Sequence, residues 1–302
     1  NVPAPTLGGL QYWGDELFFH QWRIQRHAST GRCRLLDPDN LRHASGTLEE
    51  CRAALDQIKR DRSLPPMKGK AVVVLHGLAR SRTSMASLCK YLETHSDYVV
   101  FNVEYPSTQR PIGDDARALA SILANLEGIQ EIHFAAHSLG NLVIRHYLAD
   151  QADPKTGRRP DRRIPDRRIK RMVMLGPPNH GSSIATALGD NTLFKMVLGK
   201  PGQELGRHWA WEEVNLATPQ FEFGIIAGGL GNRHGFNPLL PGDDDGVVTV
   251  EGTRLAGARD FVVVPVVHMA LNHDTRVFEH TLRFLQHGYF ISADRRQPIA
   301  KR

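Results

Sequence analysis

Cysteine is scarce in this sequence: Cys33, Cys51 and Cys89 are the only three in 302 residues. None stands in a CxxC or other metal-ligand spacing, which leaves out zinc-ribbon and dithiol redox chemistry. No apolar run approaches the ~20 residues of a membrane-spanning helix. Low-complexity tracts and internal repeats are absent, and no nucleic-acid-binding motif is found. A visible signal peptide is also lacking, yet the sequence starts at Asn1 rather than Met. A processed or trimmed chain is therefore expected, and the missing Met together with Cys33 and Cys51, which could bond to each other in an exported protein, points to a secreted or periplasmic location. Cys89 lies on an apolar helix face and reads as core.

The content that is present suits a packed α/β chain. Hydrophobic residues make up 41% of the sequence, enough for one large domain over 1–302, with or without decorations. The net charge is +6, and much of it is local: Lys155, Arg158, Arg159, Arg162, Arg163, Arg167, Arg168, Lys170 and Arg171. Pro154, Pro160 and Pro165 break this run and aspartates intersperse it, so it reads as a solvated loop rather than a nucleic-acid patch.

The elements follow a regular alternation. Glu16–Ile24 and Arg32–Leu36 read as two strands of a hairpin turning at Ser29–Gly31. Thr47-Leu-Glu-Glu50 is a capping box opening a helix that Pro65-Pro66 ends. Ala71–Leu75 is all apolar, as a strand covered on both faces requires. Strands are then expected at 98–103, 132–136, 171–175, 221–227 and 261–267, with helices at 85–92, 114–127, 139–148 and about 274–286, the last stopped by Gly288. Such alternation implies a doubly wound, mostly parallel sheet, with residues 10–62 as an N-terminal hairpin and helix extension.

The stretch Ala136-His-Ser138-Leu-Gly140 joins a buried strand to a helix. A serine between small residues two places before and two after fits a sharp turn that lifts the hydroxyl above the sheet. Gly is usual at the first position, and Ala136 is the departure. Standing alone, the pattern also fits a serine capping a buried helix. The other strand ends decide. His76-Gly77-Leu78 follows the first parallel strand, so the Leu78 amide and the Leu139 amide can converge as an oxyanion hole. A serine hydroxyl needs a base. Of the histidines, His268 follows the last strand, whereas His273 is nearer the helix start, His280 is inside the helix, and His137 is expected to point elsewhere. The base needs an acid, and Asp243-Asp-Asp245-Gly246 precedes it in the order Ser, Asp, His. Asp245 is favoured because Gly246 frees the turn after it, with Asp244 and Asp243 as alternatives. A calcium loop would need spaced ligands that are missing.

On these residues the chain resembles bacterial serine esterases and lipases of the α/β-hydrolase fold, near the EstA-like triacylglycerol lipases. The resemblance runs from Val72 to Phe290. It rests on the residues around His76-Gly77-Leu78, Glu104-Tyr-Pro-Ser107, Ala136–Val143, Leu175-Gly-Pro-Pro-Asn-His-Gly-Ser182, Gly202–Gly206, Asp244–Val250 and Val264–His268. It implies a catalytic triad of Ser138, Asp245 and His268, ester hydrolysis through an acyl-enzyme, and no need for a metal or cofactor. The expected partner is a small-molecule or lipid ester, with peripheral contact to a lipid or anionic surface and no nucleic acid. Acyl transfer, amide or polyester hydrolysis, and an inactive binding module remain the alternatives. Residues 183–216 are rich in apolar side chains and are expected to form a small helical cap over the site or to pack down as core.

Overall fold

The computed structural model of the chain describes residues 4–5, 11–150, 166–180 and 216–301. Apart from Leu216, the expected cap segment 183–216 lies outside these residues, as do Gly202–Gly206 and most of the basic run. The described end of that run has local partners: Arg168 bonds Asp166 and the Leu123 and Leu126 carbonyls, and Arg171 bonds Glu222.

The N-terminal part is larger than a hairpin. Strands β1 (Ala4–Pro5), β2 (Trp13–Phe19), β3 (Trp22–His27), β4 (Cys33–Leu36) and β5 (Leu41–Gly46) form an antiparallel sheet in the order β1-β5-β4-β3-β2. The expected single strand 16–24 is two strands, turning at His20-Gln21, with His20 at φ 51°. No Gly, Pro or Asn marks that turn, so the apolar pattern hides it. This sheet stands by itself rather than extending the parallel one. It meets the parallel sheet beyond the end of β7 (Val99–Val103), where Asp15 N–H donates to the Glu104 carbonyl at 2.8 Å. The Glu104 N–H is taken by the Asp15 side chain at 2.7 Å, which stops a ladder from continuing. Asp15 also accepts from Arg23 (3.2 Å) and Gln25 (2.8 Å), so this buried carboxylate is fully engaged.

Helix α1 (Leu48–Asp61) begins with the expected capping box: Thr47 Oγ1 accepts from Glu50 N, and Glu50 reaches back to Thr47 N. Thr47→Ala is expected to cost about 1 kcal/mol, seen as a lower denaturant midpoint at unchanged slope. Cys51 on α1 and Cys33 on β4 are buried free thiols, as is Cys89, and burial pushes the Cys51 thiol up to about 11.

Six parallel strands form the central sheet in the order β11-β10-β9-β8-β6-β7. They are β6 (Gly69–Leu75), β7, β8 (Ile129–His137), β9 (Ile169–Leu175), β10 (Glu222–Gly228) and β11 (Asp260–Val264). Strand alternation splits the core in two. Ala71, Val73, Leu75, Phe134 and Ala136 face α3 (Ile112–Ala124), α4 (Leu139–Asp150) and the N-terminal sheet. Val72, Val74, Ala135 and Val173 face α2 (Ala86–His95) and α6 (Thr275–His287). α6 starts at an Asp274 cap and stops at Gly288, whose φ of 77° suits glycine. A short α5 (Val250–Thr253) precedes β11. β11 ends three residues sooner than expected, at Val264, because Pro265 has no N–H to continue pairing. The order of strand addition reverses at β6: β7 lies on one side and β8 on the other. The C-terminal ends of β6 and β8 thus open the crevice where ligands of such sheets collect.

Candidate active site

Ser138 stands between β8 and α4 with φ 53°, a left-handed conformation that costs a non-glycine residue on the order of 1–3 kcal/mol. Its neighbours hold it there. Ser138 N–H donates to Leu175 O at 2.9 Å, and its carbonyl accepts from Asn141 N (3.1 Å) and Asn141 Nδ2 (3.0 Å). These bonds run through the backbone, so the hydroxyl takes no part in holding the turn. Gly140 must be glycine, since a Cβ there would lie 2.7 Å from His76 O and 2.8 Å from Leu75 Cβ. Ala136 is fully buried, paired with Leu75 of β6 and Met174 of β9. Its extra methyl fits there.

His268 opens a 3-10 turn (His268–Ala270) beyond β11. Its Nδ1 lies 2.6 Å from Asp245 Oδ2, and its backbone N–H donates to Asp245 O at 2.7 Å. The other carboxylate oxygen, Asp245 Oδ1, accepts from Val247 N (3.0 Å) and Val248 N (2.8 Å). Asp245 and His268 are both buried. Asp243 instead braces the loop by accepting from Leu230 N and Gly231 N, and Asp244 does so from Asn237 N and Gly246 N. Of the three aspartates, Asp245 is the one hydrogen-bonded to His268.

Ser138 and His268 share their surroundings. Leu175 O takes the Ser138 N–H, and a Cβ on the next residue, Gly176, would lie 3.1 Å from the His268 ring. The Ser138 hydroxyl makes no hydrogen bond to His268 among the described residues. Such bonds are commonly loose until substrate is bound. The amides of Leu78 and Leu139 donate to no acceptor among the described residues, and Gly77 approaches so closely that a Cβ there would lie 3.1 Å from Ser138 Cβ.

Other histidines take structural places. His273 is exposed. His280 Nδ1 donates to Phe290 O at 3.0 Å. His137, expected to point elsewhere, lies against His268: the ring centroids are 4.7 Å apart with planes tilted by 43°, and Nε2 donates to His268 O at 3.0 Å. Burial, then the nearby His268, pushes its pKa well below the usual range, so it stays neutral at physiological pH and serves as a floor for His268. Asn179, in the Pro-Pro-Asn-His stretch, accepts from Arg145 at 2.9 Å and donates to Thr253 O at 2.7 Å, which makes it a brace. No group of His, Cys, Asp and Glu side chains among the described residues suits a metal. A cavity of about 460 Å³ beside Phe221, Gly257 and Arg259 lies at the N-terminal ends of β10 and β11, the opposite edge from Ser138.

The chain has the α/β-hydrolase fold. It superposes on the propeptide form of the lipase BlEst2 of Bacillus licheniformis with a TM-score of 0.53 at 18% identity, covering 78% of this chain and 54% of that one. This chain thus spans about half the length of that protein. The mature form of BlEst2 matches at 18% identity and TM-score 0.49, covering 74% of this chain and 91% of that one. The lin2722 gene product of Listeria innocua matches at 16% identity and TM-score 0.49, covering 78% and 99% of the two chains. No family model and no curated protein sequence matches the chain.

Proposed function

We propose that this chain is a serine carboxylic-ester hydrolase, an esterase or lipase, forming one domain over 1–302. The observation that carries the reading is the buried Asp245–His268 pair at 2.6 Å on the edge of the sheet that also presents Ser138 in a strained turn. Ser138 attacks the ester carbonyl while His268 takes its proton. Asp245 holds the proton of His268 on Nδ1, leaving Nε2 to act as base. The Leu78 and Leu139 amides receive the developing oxyanion, each donor being worth roughly 3 kcal/mol of barrier. His268 then protonates the leaving alcohol, and water releases the acid from the acyl-enzyme.

An apolar acyl group fits the rim, since Val267 and Met269 flank His268 and are exposed at 41% and 37%. A p-nitrophenyl ester series from acetate to palmitate tests the reading. Turnover confined to short chains marks an esterase with a closed pocket, and turnover rising toward long chains marks a lipase. Silence across the series with a serine still labelled by a fluorophosphonate redirects the assignment to amide, polyester or acyl-transfer substrates. Silence without labelling overturns it.

A further inference from the structure

Beside the triad and the two amides stands a buried polar group at this edge that the proposed mechanism does not use. His76 is fully buried, immediately before Gly77-Leu78, with both ring nitrogens committed. We infer that His76 is a positioning residue for the oxyanion donor: its imidazole, held by Tyr105, locks the Gly77–Leu78 peptide so that the Leu78 N–H faces the reacting carbonyl. The inference rests on the ester-hydrolase reading.

The chain of contacts starts at His76 Nδ1, which lies 2.9 Å from Gly77 O. A carbonyl only accepts, so Nδ1 carries the proton. Nε2 is then the lone-pair nitrogen, and Tyr105 N–H donates to it at 3.4 Å. Glu104 Oε1 stands 3.3 Å from the same nitrogen and makes no hydrogen bond to its lone pair, while Glu104 Oε2 accepts from Arg82 N at 3.1 Å. The Tyr105 ring stacks on the imidazole, with centroids 4.1 Å apart and planes 11° apart, and its hydroxyl donates to His76 O. Glu104 is itself clamped through its backbone by Asp15 of the N-terminal sheet. The imidazole therefore has one available orientation.

That orientation dictates the next peptide. In a trans peptide the C=O and the N–H of the same plane point in opposite directions. Gly77 O is drawn to His76 Nδ1 and also accepts from Arg80 N at 3.3 Å, closing a four-residue turn. Ala79 occupies the third position of that turn at φ 55°, a conformation alanine adopts only when its surroundings impose it. With its carbonyl pinned twice, the peptide presents the Leu78 N–H on the other side, free of acceptors among the described residues. Gly77 lets this turn approach Ser138 closely. Remove the Nδ1 donor and one of the two bonds that set the plane is lost.

The test uses the full chain carrying His76→Asn, His76→Gln and His76→Leu. The amide nitrogen of Asn stands where Nδ1 stands, and that of Gln where Nε2 stands. Asn is expected to keep kcat within about tenfold of the parent. Gln and Leu are expected to lose on the order of 10²-fold in kcat, as for a lost oxyanion donor, with KM little changed. Inhibition by a trifluoromethyl ketone, which forms the same oxyanion, should weaken in step with kcat. A loss that is equal in Asn and Gln, or one confined to KM, overturns the inference. Should the variants fail to fold, ¹⁵N NMR of the unmodified protein decides: a His76 proton on Nδ1 is expected, and one on Nε2 overturns it. If the unmodified protein hydrolyses no ester, the functional reading fails, while the tautomer measurement still judges the clamp.

Discussion

Replacing Ser138 by alanine is expected to lower kcat for ester hydrolysis by about 10⁴-fold or more, because the reaction loses its nucleophile. The fold should survive. The hydrogen bonds that hold this turn run from the Ser138 backbone to Leu175 and Asn141, and alanine keeps them. The stability change is expected to stay within about 1 kcal/mol. Ser138→Gly makes a sharper companion. Glycine occupies φ 53° without the Cβ penalty, so this variant should be at least as stable as the parent and equally inactive. Parallel thermal melts and kcat measurements check both. A glycine variant much less stable than the parent would contradict a strained serine.

Asp245→Asn is expected to cost about 10⁴-fold in kcat with little change in fold. The reason lies in the hydrogen bonds. Asp245 Oδ1 accepts from two backbone amides, and Oδ2 takes His268 Nδ1. Asparagine has one oxygen, which the Val247 and Val248 amides claim. Its NH₂ is then turned toward His268 and can only donate. The imidazole must accept at Nδ1 and carry its proton on Nε2, the atom that has to receive the serine proton. The backbone bond from His268 N to Asp245 O does not involve the side chain and should preserve the loop. Kinetics together with ¹⁵N chemical shifts of His268 check this. Near-parent activity in the variant would mean that another acid serves His268.

The parts of the fold visible in the sequence are those written in local pattern. The all-apolar run 71–75, the Thr47–Glu50 capping box, the Asp274 and Gly288 ends of α6 and the Ala-His-Ser-Leu-Gly turn each depend on residues a few positions apart. Asp245 and His268 were visible because a doubly wound sheet brings strand ends to one edge. What stayed hidden depends on partners far apart in the chain. His137 and His268 come into ring contact across 131 residues, and neither position alone shows a reason to meet. The stacking of Tyr105 on His76 was hidden because Tyr105 arrives a helix and a strand later. The His20-Gln21 turn lacks the residues that usually mark one, and so two strands read as one.

The most direct measurement treats the intact protein with a fluorophosphonate and locates the adduct by peptide mass mapping. One adduct per chain on Ser138, lost in Ser138→Ala and suppressed in His268→Ala, is the expected result. No adduct, or an adduct on another residue while Ser138 stays unmodified, would contradict Ser138 as the activated nucleophile.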